Sequence, residues 1–112
     1  MLPKSERLRK EKDIKKVLSK REIEARSPLL HLLAIRNQQP NPRLTVITSS
    51  KLGKAVKRNR MRRMIVNAYS KIRHKIAKNY DMVIIPKKTI LNFKFDQVLG
   101  DLESSLKEAK II

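Results

Sequence analysis

Fifty-six consecutive residues, from Ala25 to Tyr80, contain fourteen Lys and Arg and no Asp or Glu. A fold built from this block must keep its like charges apart or bring acids to them from the flanks. Residues 1–24 hold nine basic and five acidic residues, and residues 81–112 hold five of each. The formal net charge of +18 is therefore concentrated in the middle of the chain. A surface that only has to stay dissolved mixes the signs. A long block of one sign points to a polyanion that supplies the counter-charge, as a nucleic-acid phosphate backbone does.

Length and composition narrow the classes further. The 112 residues suit a single domain, taken as residues 1–112, and 40% hydrophobic residues allow a modest core. The absence of Cys excludes a disulfide scaffold, a Cys-based zinc site and a Cys nucleophile, and it fits a reducing compartment. No apolar run approaches the roughly 18 residues of a membrane span. The opening MLPKSERLRKEKD lacks the apolar stretch of a secretory signal. Two glycines and no Gly-rich loop argue against a nucleotide-cradling P-loop. The expectation is a cytoplasmic protein with no membrane partner.

Periodicity supplies the elements. Ile14, Val17 and Leu18 form one helical stripe, predicting a helix over residues 10–20. Residues 21–28 are polar and end at Ser27-Pro28, a helix-breaking boundary. Leu29–Ile35 is short and apolar, and Arg43–Thr48 is rich in β-branched residues. Both read as strands, expected to pair as a hairpin across the Asn37–Pro42 turn cluster. The longest helix is predicted over residues 55–77, with Met61, Met64, Ile65, Ala68, Tyr69, Ile72 and Ile76 on its apolar face. Tyr80–Ile85 reads as a further strand, stopped by Pro86. Asp96 is the expected N-cap of a last helix, with Gly100 weakening its first turn. The order α-β-β-α-β-α implies an α/β (α+β) sandwich: one central sheet packed with helices.

The densest chemical feature is Lys51–Arg63, with seven basic residues in thirteen: Lys51, Lys54, Lys57, Arg58, Arg60, Arg62 and Arg63. A helix should begin near its middle. Asn59, Arg60 and Arg63 then face away from the apolar stripe, and Arg58 and Arg62 sit at its edge with their stems packed. A helix N-terminus attracts phosphate through its free N–H groups and dipole. Arginine adds planar forks that grip phosphate oxygens in pairs.

The block SKLGKAVKRNRMRRMI (Ser50–Ile65) resembles the signature of the bacterial ribonuclease P protein component, with its Arg-Asn-Arg triplet after Lys-x-Gly-x-Ala-Val. The opening LPKSERLRKEKDIKKVL (Leu2–Leu18) and the strand YDMVIIPKK (Tyr80–Lys88) are similar to that family as well. The resemblance is colinear over about the whole chain. It implies a sheet of about four strands with a left-handed β-α-β crossover, against the general right-handed rule. It implies a protein subunit whose partners are a catalytic RNA and precursor tRNA, from which the 5′ leader is removed. The chemistry would belong to the RNA and to Mg2+ held mainly by it, with no catalytic residue and no metal ligand in the protein.

By position, Lys51, Arg58, Asn59, Arg60, Arg62 and Arg63 match the family's RNA-facing residues, and Lys54 and Lys57 lie among them. Ile14, Leu18, Leu32 and Val46 fall where the resemblance puts a cleft for the leader, between the first helix and the sheet. The family commonly has Phe at the positions of Ile14 and Leu18, and often Tyr at Leu32. Ser50 stands for a frequent Lys and Val66 for a frequent Arg.

Other constellations are weaker. His31 and His74 match no ligand spacing, and Ser49-Ser50 beside Lys51 lacks a pocket signature for a Ser-Lys nucleophile. Met61, Met64, Tyr69 and Tyr80 read as core. A membrane-binding role for the basic helix would need the apolar face that the core uses. A ribosomal or ribosome-assembly RNA-binding protein is the alternative of similar composition. A nucleoid DNA-binding protein is a more distant one, and no DNA partner is expected.

Overall fold

A computed structural model describes residues 2–112. The elements are α1 (Glu11–Lys20), β1 (Ile23–Arg26), β2 (Leu30–Arg36), β3 (Arg43–Val46), α2 (Ala55–Ile72), β4 (Tyr80–Pro86) and α3 (Phe95–Glu108). Short 3-10 turns at Lys4–Glu6, Ser50–Leu52, Arg73–Lys75 and Lys88–Asn92 link them. The three helices and three of the strands lie where the sequence pattern puts them, with two differences at their ends. α2 ends at Ile72 rather than at residue 77, because Arg73–Lys75 tightens into a 3-10 turn and Ile76 is extended. β3 ends at Val46 rather than Thr48.

β1 is the strand that the polar reading of residues 21–28 misses. Only Ile23 and Ala25 are apolar in it, and it lies at a sheet edge with Glu24 and Arg26 exposed. An edge strand carrying charges gives little hydrophobic signal.

The four strands form one mixed sheet in the order β1-β2-β4-β3. The expected hairpin between residues 29–35 and 43–48 does not form. β4 inserts between its two members, antiparallel to β2 and parallel to β3. Burial explains the order. Tyr80, Asp81, Met82, Val83 and Ile84 are all buried, so β4 belongs at the centre, covered on both faces. β3 alternates half-buried Arg43 and Thr45 with buried Leu44 and Val46, a pattern an edge tolerates. Parallel pairing of β3 with β4 requires a long crossover, and α2 supplies it.

Strand alternation splits the core into two layers. Leu30, Leu32, Ala34, Leu44, Val46, Met82 and Ile84 meet α2 and α3 on one face. Leu33 and Val83 meet Leu8 and Val17 on the other, with Ile14, Leu18, Ile35, Ile47 and Ile85 partly buried around them. α1 therefore covers one side of the sheet and the other two helices cover the opposite side.

The α3 start also differs from expectation. Lys94, not Asp96, is the N-cap, and its N–H donates to Gln97 Oε1 at 2.9 Å. Asp96 sits in the first turn, where a carboxylate suits the helix dipole. α3 runs through Gly100 without a break, and a Cβ there would meet nothing within 4 Å.

One polar knot joins three regions. Arg43 Nε and Nη2 donate to Asp81 Oδ1 and Oδ2, each at 2.8 Å. Asn37 Nδ2 donates to Asp81 Oδ1 at 2.7 Å, and Arg43 lies 3.6 Å from Asp13 on α1. The hydrogen bonds to Asp81 hold the Arg43 guanidinium above its ordinary pKa against the desolvation of its partial burial.

Two stability predictions follow from these contacts. Asp81→Ala should cost about 3–5 kcal/mol by stranding a partly buried guanidinium. Gly100→Ala should gain about 0.5–1 kcal/mol, since only backbone freedom is removed. Urea unfolding of each variant reads both values.

Candidate nucleic-acid interface

The basic segment is built by a turn and a helix start. Ser50–Leu52 forms a 3-10 turn, and Gly53 follows with φ 123°. That backbone conformation favours glycine, and a Cβ there would lie 3.4 Å from the Lys57 side chain. Lys54 is the N-cap, and no side chain caps the first N–H groups of α2.

Lys51, Lys54, Lys57, Asn59, Arg60, Arg62 and Arg63 are exposed, and Arg58 is half-buried. Arg58 thus takes the expected edge position. Arg62 is anchored: its Nη2 donates to Thr48 Oγ1 at 2.8 Å and its Nη1 to Asn59 Oδ1 at 3.3 Å. The buried side of α2 holds Met61, Ile65, Ala68, Tyr69 and Ile72. Val56, beside these cations, is 77% exposed.

Acids from the flanks neutralise the acid-free block selectively. Glu24 pairs with Arg26 at 3.2 Å, Asp81 with Arg43 at 2.8 Å, Glu6 with Arg73 at 2.5 Å and Glu103 with Lys75 at 2.6 Å. Among the described residues, the other ten cations of the block have no acidic partner, and these include all seven from Lys51 to Arg63. The hydrogen bond from Lys75 holds the Glu103 carboxyl below the ordinary range. Around Glu24 the hydrogen bond from His31 acts the same way, reinforced by Arg21 and Arg26.

The four residues expected to line a leader cleft do not share a face. Ile14 and Leu18 lie on α1, over Leu33 and Val83. Leu32 and Val46 point to the α2 and α3 side, with Leu32 fully buried. A one-residue offset along a strand reverses the face, and β2 is apolar on both faces, so its sequence carries no sign of which residue faces α1. The half-buried aliphatic strip under α1 consists of Ile14, Leu18, Ile35, Ile47 and Ile85.

Val46 instead lines a groove of about 420 Å³ beyond the β3 edge, with Arg62 and Arg63 among its walls. No local sequence pattern signals this groove, because it needs the N-terminal segment beside β3. None of the four aromatic side chains lies on the basic surface. Tyr69 and Tyr80 are buried, Phe95 stacks under Lys71 at 5.8 Å, and Phe93 sits near Pro28 and Leu29.

Residues 2–110 match the profile of the family described as Ribonuclease P. The chain belongs to the ribonuclease P protein family. It is 30% identical over 101 residues to a ribonuclease P protein component of Bacillus cereus, covering 90% of this chain and 88% of that one. With the component from Carboxydothermus hydrogenoformans it shares 32% over 90 residues, covering 80% and 78%. The ribonuclease P protein from Thermotoga maritima superposes with a TM-score of 0.82 at 25% identity, over 92% of this chain and 96% of that one. One from Staphylococcus aureus gives 0.81 at 25% identity, over 95% and 96%.

As a ribonuclease P protein, the chain is a subunit of a tRNA-processing endoribonuclease, and its partner in that ribonucleoprotein is RNA. These matches favour this reading over the ribosomal alternative. The four-stranded mixed sheet with three helices is the fold of the solved ribonuclease P proteins. No helix among the described residues is long and apolar enough to cross a membrane.

The charge division makes a direct prediction about stability. Arg60→Gln and Lys57→Gln should leave urea stability within about 0.5 kcal/mol of the parent, or raise it at low salt. Arg43→Gln should lower it by several times that amount.

Proposed function

We propose that this chain grips the catalytic RNA of ribonuclease P with the exposed cations of α2 and its preceding turn. The 5′ leader of precursor tRNA would lie along the aliphatic strip between α1 and the sheet, and the RNA would carry out the hydrolysis. The observation that carries this reading is the row of seven cations from Lys51 to Arg63 without an acidic partner among the described residues. Nearby acids are spent on Arg26, Arg43, Arg73 and Lys75. The exposed row awaits phosphate, which Arg can hold bidentately.

This donor set does not fit a divalent metal. Lys, Arg and Asn around α2 offer cations and an amide, whereas Mg2+ takes oxygen ligands, carboxylates among them. Among the described residues no three of His, Cys, Asp and Glu come together as a ligand group. In this reading magnesium would be held mainly by the RNA.

The leader strip is aliphatic, so it offers apolar contact without the base stacking that aromatic faces add, worth roughly 1–3 kcal/mol per base. Leader affinity in this chain then depends more on flanking cations.

Reconstitution tests the proposal. The chain plus a ribonuclease P RNA should cleave precursor tRNA at low magnesium, and the chain alone should not. If about six phosphates are neutralised, log K for the RNA should fall against log salt with a slope of roughly −4 to −5. Lys57→Ala or Arg60→Ala should each make that slope shallower by about one. Cleavage by the protein alone, or a flat salt response, would overturn the reading.

A further inference from the structure

The groove beyond β3 shares Arg62 and Arg63 with the exposed row on α2 and none of the five residues of the α1 strip. Its floor is aliphatic, formed by buried Leu2, Leu8, Leu44 and Val46 with half-buried Val66. Its rim is cationic: Arg7, Arg9, Arg62 and Arg63 are all exposed, and none has an acidic partner among the described residues. Exposed Asn67 stands at the same rim.

Main-chain groups add to it. Leu8 N–H donates to Leu44 O at 3.0 Å, so Leu44 turns its carbonyl away from β4. Ile47 N–H donates to Ile84 O at 3.0 Å, so the odd residues turn towards β4. By alternation Val46 directs its N–H and C=O outward, over the groove. The volume, about 420 Å³, falls within the range of roughly 300–1,000 Å³ typical of small-ligand sites.

We propose that this groove receives one unstacked base of the RNA subunit, with the phosphates on either side held by the four arginines. This rests on the RNA partner assigned to α2 above. An apolar floor with a polar rim suits the face and edge of a base. The Asn67 amide offers a donor and an acceptor side by side, the pairing that reads adenine. Guanidinium planes stack on bases as well as gripping phosphates. A base still paired in a helix cannot enter, so the site selects a single-stranded or bulged nucleotide.

Two features choose the occupant. Arg62 and Arg63 belong both to the groove and to the exposed row on α2, so an RNA lying on that row passes the groove mouth. A smaller depression of about 220 Å³ continues past Arg7 and Arg9 to Lys4 and Lys10, giving the strand a cationic exit. An acidic peptide adding to the sheet edge fits less well. The N-terminal segment already bridges Leu44, which leaves β3 too short an edge for strand addition.

The test uses the full chain and three probes: an adenylate RNA trimer, an abasic trimer with the same phosphates, and an acidic hexapeptide. NMR titration should show the adenylate trimer binding about tenfold tighter than the abasic one, with shifts at Val46, Val66 and the Asn67 side-chain amide. Asn67→Ala and Val66→Glu should each reduce that difference, and Asn67, being exposed, is replaced without risk to the fold. Equal binding of the two trimers, or groove shifts with the peptide alone, would overturn the proposal.

In the assembled ribonucleoprotein, dimethyl sulfate should find one unpaired adenine of the RNA subunit protected by the parent chain and reactive with Asn67→Ala. Protection of a leader base instead would refute the assigned source. Failure of the α2 reading looks different: Lys57→Ala and Arg60→Ala would then leave RNA-subunit affinity and its salt slope unchanged, whatever the trimers do.

Discussion

Asp81 is the only buried carboxylate among the described residues, and three parts of the fold converge on it. Arg43 at the start of β3 takes both of its oxygens, and Asn37 from the β2–β3 connection takes one of them again. Arg43 and Asp81 are also register partners in the parallel β3–β4 ladder. The ion pair thus fixes which residue of β3 lies beside which residue of β4. A slip by one residue would separate the charges and turn Leu44 and Val46 to the wrong face. Asp13 reaches the same guanidinium from α1. One buried pair therefore sets sheet register, closes the β2–β3 connection and ties α1 to its face.

The same logic extends to the whole charge pattern. The acids that reach the acid-free block come from outside it in sequence. Glu6 reaches Arg73 at the end of α2, and Glu103 on α3 reaches the adjacent Lys75. These contacts neutralise the C-terminal end of α2, where packing brings three elements together. Among the described residues, no acid comes to its N-terminal end. Repulsion among Lys51, Lys54, Lys57 and Arg60 is left without acidic compensation among the described residues. Surface ion pairs contribute little stability each, so their main effect is on where uncompensated charge is left.

Helical periodicity made α1, α2 and α3 legible, because each has one wet and one dry face. Sheet topology was not legible. Residues 30–36 and 80–86 are apolar on both faces, which announces a strand but conceals both its neighbours and the direction each side chain points. The resemblance groups Leu32 with Ile14, whereas Leu33 is the β2 residue that packs on the α1 side. β1 was invisible because an edge strand with Glu24 and Arg26 outward resembles a polar linker. The basic residues of the site were readable at once, since they are contiguous along a turn and one helix. The groove was not, since Arg7 and Arg63 meet across an edge bridge that no local pattern encodes.

The scarcity of aromatic residues links these points. Tyr69 and Tyr80 are consumed by the core, and neither Phe reaches the basic surface. A protein in this position cannot hold bases by stacking on aromatic rings. What remains are aliphatic surfaces and guanidinium planes, which come together where Arg62 and Arg63 meet Val46 and Val66 and again where Arg60 meets Val56 and Leu91. Aliphatic contact alone does not distinguish a base from any other apolar group. Recognition must then come from hydrogen-bonding groups at the rim, Asn67 and the outward main chain of Val46, and from the charge that holds the strand across them.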